Sequence, residues 1–125
     1  MEYVQTTPER LCKSFKADCV IRSISIATQQ SYRDVFAALM QRGLDMGAYP
    51  SHDKVWIGYL VKVLGWTQNK PPRRDGKLIK LESWDCPQIA VVRNSRHLTA
   101  IFDGALHDEW DCRYRPVNTY WTPGP

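Results

Sequence analysis

A histidine and several carboxylates lie close together in residues 96–110. Within this stretch Asp103-Gly104 separates two apolar-rich runs. This pattern is typical of a β-hairpin, because a type I′ turn needs positive φ at both central residues. Side chains alternate between the faces of a strand, so counting outward from the turn makes His97 and Asp108 diagonal neighbours on one face. A carboxylate that orients an imidazole makes it a general base. The hairpin therefore predicts two of the three parts of a nucleophilic catalytic site.

Three other side chains of the hairpin region bear on the same roles. Asp103 and Asp111 are alternative orienting acids. The first falls in the turn and the second should point to the opposite face, so Asp108 is preferred to both. Trp110 shares the face of His97. It either packs on the imidazole, shielding the bond to the acid from water, or belongs to the core.

Cys19 supplies the nucleophile that the hairpin lacks. It follows Asp18, an N-cap candidate, so we predict a helix over 19–30 with the cysteine in its first turn. Ile24 and Ile26 alternate with serines as in a strand, while the wider apolar spacing also fits a helix, and the Asp18 signal decides for the helix. Unpaired N–H groups and the helix dipole lower the pKa of a thiol at this position and can stabilise an oxyanion beside the sulfur. The sequence therefore contains all three roles of a Cys-His-Asp site.

Arg22 lies one turn after the nucleophile and has two interpretations. It could anchor the helix to the hairpin by pairing with Asp111, or it could bind a carboxylate of the substrate. The structural role is preferred.

Two further helices are predicted from apolar stripes at helical spacing. Their boundary signals are Ser31, Gly43 and Gly47 for the second helix, and Ser51, Asp53 and Gly65 for the third. The stripes are Tyr32, Val35, Phe36, Leu39, Met40 and Leu44, and then Trp56, Tyr59, Leu60, Val63 and Leu64. Both stripes are expected to face the core.

The hydrophobic pattern changes from helical to alternating in the second half of the chain. We expect residues 1–17 to be irregular and 70–77 to form a Pro/Gly loop. Beyond the hairpin, short strands are predicted at 78–81, at 88–93 and within 113–121. Helices followed by strands give an α+β fold, with N-terminal helices, the nucleophile helix first, packed on a C-terminal antiparallel β-sheet.

Composition and charge narrow the function classes. The 125 residues, 43% of them hydrophobic, predict a single domain over 1–125 with a real core. The net charge of +4 comes from scattered lysines and arginines. The densest basic stretch, 70–77, contains two prolines and favours a solvated loop over a nucleic-acid patch. No nucleic-acid partner is therefore expected, although binding through Arg73 and Arg74 is a third alternative.

The sequence shows neither the apolar core of a signal peptide nor a run of the ~20 apolar residues that a membrane span needs. We therefore expect a cytoplasmic protein with reduced cysteines and no membrane partner, as a monomer or a small homo-oligomer. Its four cysteines and three histidines show no metal-ligand spacing, so neither a metal nor a cofactor is expected.

Three segments of the chain together resemble the papain-like cysteine peptidase superfamily, in the minimal form found in small bacterial and phage proteins. They are residues 17–24 with Asp-Cys-Val-Ile-Arg, residues 96–104 with His-Leu-Thr-Ala, and residues 106–112. The tail Asn118-Thr-Tyr120-Trp121 also matches, so the resemblance covers about residues 15–121. It implies a papain-like fold in which Cys19 is the nucleophile, His97 the general base and acid, and Asp108 the orienting acid.

The chain departs from the family pattern at the oxyanion donor. Papain-like enzymes place a Gln or Asn a few residues before the cysteine, but residues 12–16 contain no amide. Lys13 or Ser14 could substitute. Gln5 is further away, and the backbone N–H of Cys19 could act nearly alone.

The expected function is cysteine-dependent acyl transfer on a protein or peptide, by a peptidase, isopeptidase or amidase. Amine transfer uses the same constellation. The alternative is a non-catalytic binding protein on the same fold, such as a phage host-takeover or anti-defence factor. If a phage encodes the chain, the host cytoplasm is the expected location.

Overall fold

The structure is a computed structural model that describes residues 1–14 and 17–125, so that Phe15 and Lys16 lie outside it. Over those ranges the fold is mixed α+β. The helices are α1 (Cys19–Thr28), α2 (Tyr32–Met46) and α3 (Asp53–Gly58), which continues into a π-helical turn, Tyr59–Val63. The strands are β1 (Tyr3–Gln5), β2 (Thr67–Asn69), β3 (Arg73–Arg74), β4 (Lys77–Leu78), β5 (Ile89–Asn94), β6 (His97–Phe102), β7 (Ala105–Asp108) and β8 (Thr119–Thr122).

Six of these strands form one sheet in the order β1-β7-β6-β5-β8-β2. Its pairs are antiparallel except at one edge, where β1 runs parallel to β7 with Tyr3 opposite Leu106. The predicted antiparallel sheet is therefore wrong in this detail, and residues 3–5 are not irregular. A strand this short is ordered by the neighbour it pairs with, which local sequence does not reveal.

The predicted hairpin is confirmed. Strands β6 and β7 pair with Phe102 opposite Ala105 and Ala100 opposite His107. Asp103 and Gly104 form the turn with φ of 53° and 74°. Positive φ at both positions gives the register that was counted from the sequence.

Helix α1 begins at Cys19 as predicted but ends at Thr28, because Gln29 takes a left-handed conformation with φ of 59°. Asp18 occupies the N-cap position as predicted, but it does not cap the helix with its side chain. That side chain is held by Arg10, Arg22 and Tyr32 instead.

The boundaries of α2 follow local chemistry. Ser31 caps the helix by accepting a 3.0 Å hydrogen bond from the N–H of Asp34, and Gly47 ends it with φ of 67°. Gly43, the other predicted stop signal, lies inside the helix. A Cβ at Gly43 would lie 2.5 Å from the carbonyl oxygen of Ala48, so close packing explains this glycine.

Part of each predicted apolar stripe faces solvent. Met40 and Leu44 on α2 are 40% and 74% exposed, and Val63 is 58% exposed. Helix α2 buries a narrower stripe of Tyr32, Val35, Leu39 and Gly43. Helix α3 begins at Asp53, and the His52 imidazole caps it by accepting from the N–H of Lys54.

Residues 70–77 are not only a loop. Strands β3 and β4 pair in a small hairpin that turns at Asp75 and Gly76, with φ of 53° and 76°. The predicted strand at 78–81 is wrong beyond Leu78, because residues 81–83 form a 3-10 turn. The predicted tail strand is confirmed as β8.

The sheet buries both faces. One face packs on the helices through Val91, Leu98, Ala100 and Trp121, while the other packs on the loops through Ala90, Val92, Ile101 and Leu106. Trp56 of α3 meets Trp121 edge to face, with ring centroids 4.9 Å apart. Across the described ranges, every helix is too short or too polar to cross a membrane.

Candidate active site

Cys19 stands at the N-terminus of α1, where its backbone N–H and those that follow lack partners within the helix. Its side chain is half-buried. The Ser23 hydroxyl fixes α1 on the hairpin by donating a 2.8 Å hydrogen bond to the carbonyl oxygen of Leu98. Because Leu98 follows His97 in β6, this bond holds the first turn of α1 beside the imidazole.

His97 and Asp108 meet across the hairpin as the register predicted. Nε2 of His97 lies 2.6 Å from Oδ2 of Asp108. The carboxylate is buried, and its Oδ1 accepts a 2.7 Å hydrogen bond from the N–H of Glu109. Arg22 places Nη2 3.4 Å from the same Oδ1. Both oxygens of Asp108 are therefore engaged, which fixes the carboxylate behind the imidazole.

Cys19 and His97 lie side by side and line two clefts together. Since Nε2 is occupied by Asp108, Nδ1 is the ring nitrogen left for the sulfur. Burial raises the pKa of the Cys19 thiol, but hydrogen bonds from His97 and from the backbone of Leu98, and the positive charges of His97 and Arg22, outweigh it. The net result is a pKa below the ordinary value.

The pKa of His97 moves the opposite way. Burial lowers it, but the hydrogen bonds with Asp108, Cys112 and Cys19 raise it to about 11. A lowered thiol pKa next to a raised imidazole pKa favours a thiolate–imidazolium pair. A pair of this kind is nucleophilic at neutral pH.

Trp110 packs on the imidazole of His97, with ring centroids 4.9 Å apart and planes inclined by 45°. The guanidinium of Arg115 lies over the indole, 4.9 Å from the ring centroid. The indole is exposed, so the alternative of plain core packing is wrong. Trp110 shields one side of the imidazole from water.

The two alternative acids are used elsewhere. Asp103 sits in the turn, and Asp111 pairs with Arg113 at 2.8 Å on the surface. The predicted pairing of Arg22 with Asp111 is therefore wrong. Arg22 nonetheless has ion pairs that suit the preferred structural role, because its Nη1 lies 2.7 Å from both Asp18 and Glu109.

A buried ion network lies behind the site, and sequence reasoning missed most of it. Arg10 contacts Asp18 at 2.7 Å and also contacts Glu109. Tyr32 donates a 2.8 Å hydrogen bond to Asp18. Burial raises the pKa of Asp18, but these hydrogen bonds and the charges of Arg10 and Arg22 outweigh it and lower the pKa.

One pair of this network had a sequence signal. Asp18 and Arg22 stand at i,i+4 spacing, which brings side chains together on a helix. Arg10 had none, because its partners are set by the path of a non-helical segment. Cys112 was also missed. Its buried sulfur lies 3.8 Å from Oδ2 of Asp108 and accepts from Asn94 at 3.5 Å.

The side chains predicted as oxyanion donors do not join the site. Lys13 and Ser14 are exposed, and the hydroxyl of Ser14 lies 3.2 Å from the sulfur of Cys12. Among the described residues, neither lines the clefts that Cys19 borders. Gln5 lies on β1 and donates to Thr7. The candidate hydrogen-bond donors to an oxyanion are therefore the backbone N–H groups at the start of α1.

In residues 1–14 and 17–125, His97, Asp108 and Cys112 form the group with metal-ligand potential, their donor atoms lying within 4.8 Å of one another. His97 and Asp108 already share a hydrogen bond, which a metal ion would have to replace. The other histidines lie elsewhere. His52 caps α3, and Nδ1 of His107 lies 3.0 Å from the hydroxyl of Thr6.

The site thus combines a half-buried thiol at a helix N-terminus, an imidazole beside it and a buried carboxylate behind the imidazole. Such a set can attack a carbonyl carbon, hold the oxyanion at backbone N–H groups and move a proton to a leaving group. Comparison of the chain with protein-family models, with curated proteins and with solved structures found no match.

Proposed function

We propose that this chain is a cysteine-dependent acyl-transfer enzyme with a papain-like fold, acting on amide or isopeptide bonds of proteins or peptides. The observation that carries the proposal is the arrangement of Cys19, His97 and Asp108. Nε2 of His97 lies 2.6 Å from Asp108, so the other ring nitrogen is available to the thiol. This arrangement suits Cys19 as nucleophile, His97 as base and Asp108 as orienting acid.

In the acylation step the Cys19 thiolate attacks the carbonyl carbon of the scissile bond. A C–S bond forms, and the carbonyl oxygen takes up negative charge beside the N–H groups at the start of α1. The His97 imidazolium then gives its proton to the amine nitrogen as the C–N bond breaks. The products are a thioester on Cys19 and a free amine.

In the second step the neutral His97 takes a proton from water, which attacks the thioester carbonyl. The C–S bond breaks, the carboxylic acid leaves, and the thiolate and imidazolium are restored. An amine in place of water gives amine transfer by the same steps. Asp108 keeps the ring in one orientation throughout and stabilises its positive charge.

Acylation can be tested without the natural substrate. p-Nitrophenyl acetate should acetylate Cys19 as a thioester while releasing p-nitrophenolate, and mass spectrometry of peptides should locate the acetyl group. Cys19→Ala should abolish the release, and His97→Gln should slow it strongly. Cys86→Ala is the matched control, because burial raises the pKa of that thiol.

Acetylation of several cysteines, or release of p-nitrophenolate by Cys19→Ala, would contradict the proposed acyl-transfer activity. A folded protein with an unreactive Cys19 would fit the non-catalytic binding protein instead.

A further inference from the structure

Cys19 borders three clefts, one of them mostly apolar and two that also carry charged side chains. The first is a cavity of about 520 Å³ between α1, α2 and residues 49–51. Most of its lining is apolar, from Leu11, Val20, Phe36, Met40, Tyr49 and Pro50. Ligand-binding cavities usually measure about 300–1,000 Å³, so this one can hold a large side chain.

The apolar cavity carries no unpaired charge among its described lining residues. Besides the thiolate of Cys19, its one charged member is Asp18, which is 2% exposed and is already bound by Arg10, Arg22 and Tyr32. A charged side chain in this cavity would lose water without gaining a partner. The lining therefore selects apolar groups.

The second cleft, of about 390 Å³, is lined by charged side chains as well as by apolar ones. It contains Arg93, Arg96, Asp53 and His97 besides Cys19. A leaving amine has to receive its proton from His97, so it must lie on the side of the imidazole. Among the described residues, His97 lines this cleft and the third one, of about 340 Å³, but not the apolar cavity. The apolar cavity is therefore available to the acyl side of the scissile bond, which is the part of the substrate that carries the attacked carbonyl carbon.

We infer that the apolar cavity is a specificity pocket for a large apolar side chain, carried by the residue whose carbonyl carbon Cys19 attacks. This inference rests on the proposed function and names its substrate class, which is a polypeptide with an aromatic or large aliphatic residue on the acyl side.

The apolar surface continues beyond the cavity. Met40, Tyr49 and Pro50 also line a neighbouring cavity of about 460 Å³, together with Leu44. Tyr49 is 84% exposed, and such concentrations of exposed apolar side chains mark binding surfaces. A substrate with a second apolar residue further from the scissile bond would be bound along this strip.

Two matched electrophiles test the pocket. N-acetyl-phenylalanyl chloromethyl ketone and its glycyl analogue alkylate a thiolate by the same step, in which a C–S bond forms and chloride leaves. The phenylalanyl compound should label Cys19 about tenfold or more faster, because apolar contacts of this size are worth that much in rate. Iodoacetamide, which carries no such side chain, reports the reactivity of the thiolate alone.

Met40→Glu should remove the preference for phenylalanyl and leave the iodoacetamide rate unchanged, because this exposed position tolerates Glu on a helix. Val63→Glu makes the same change of charge outside the cavity lining and should keep the preference.

Equal rates for the two ketones, with fast iodoacetamide labelling of Cys19, would contradict the specificity pocket but not the proposed acyl-transfer activity. Slow iodoacetamide labelling would overturn the enzyme. In that case, binding of amides to the Cys19→Ala variant tests whether the cavity selects an apolar side chain. N-acetyl-phenylalaninamide should shift the NMR signal of the Met40 methyl group and not that of Met1, whereas N-acetyl-glycinamide should shift neither. Equal shifts for both amides would overturn the pocket.

Discussion

Nε2 of His97 lies 2.6 Å from Oδ2 of Asp108, although the two residues stand on different strands. The turn at Asp103-Gly104 sets the register that makes them diagonal neighbours. Burial of the carboxylate and its contact with Arg22 keep it in place. A local turn thus determines the geometry of the imidazole that faces Cys19.

Replacing Asp108 by Asn should lower the pKa of His97 from about 11 towards its ordinary value of 6.5, because the amide keeps the shape but loses the charge. NMR titration of the histidine rings measures this pKa. In the native protein the raised pKa contributes stability that is full below pH 6.5 and is lost as the pH rises towards 11. Asp108→Asn should lose that contribution.

Asp111→Asn is the control for this titration, because Asp111 pairs with Arg113 on the surface. Its His97 titration should match that of the native protein. Identical curves for all three proteins would contradict the role of Asp108.

The network around Asp18 should dominate acid stability. Asp18→Asn removes one of the two carboxylates, Asp18 and Glu109, that two buried guanidinium groups share, a loss of about 3–5 kcal/mol for breaking a buried pair. The lowered pKa of Asp18 contributes stability that is present above pH 3.8 and is lost as the pH falls through the pKa of the folded protein. Urea denaturation at several pH values measures both effects.

Asp111→Asn makes the same substitution in an Asp–Arg ion pair on the surface. Because water screens that pair, the variant should unfold at nearly the native urea concentration. Equal losses for Asp18→Asn and Asp111→Asn would contradict the stabilising role of the buried network.

Ser23 should position the nucleophile helix. Ser23→Ala leaves the Leu98 carbonyl oxygen without its hydroxyl donor and should cost about 1–3 kcal/mol. It should also slow alkylation of Cys19, because α1 loses its bond to the strand that carries His97. Ser25→Ala removes a bond from the same helix to Gln30 and should leave the alkylation rate unchanged. Equal rates in both variants would contradict the positioning role.

The sequence allowed prediction where local chemistry decides the structure. The pair Asp103-Gly104 predicted the hairpin register, and with it the meeting of His97 with Asp108. The cap signals at Ser31 and Asp18 predicted the starts of α2 and α1. In each case the interacting groups are a few residues apart or related by one turn.

Longer-range partners could not be predicted in this way. Strand β1 exists because it pairs with β7, and Arg10 meets Asp18 and Glu109 only after the chain has folded. Asp18 carried a strong N-cap signal, yet two guanidinium groups outcompete the backbone N–H groups for its carboxylate. The apolar cavity beside Cys19 was hidden as well, because Met40 on α2 was assigned to the core.

The pH dependence of iodoacetamide alkylation at Cys19 tests the thiolate–imidazolium pair most directly. Alkylation follows the thiolate, so the native rate should rise with a midpoint below 9.0, the ordinary pKa of the thiol. His97→Gln should move the midpoint upward, and each pH unit of that shift should lower the rate at neutral pH about tenfold. His107→Gln, which changes a histidine bonded to Thr6, should keep the native curve. A native midpoint at or above 9.0, or one that His97→Gln leaves unmoved, would contradict the pair and the acyl-transfer site built on it.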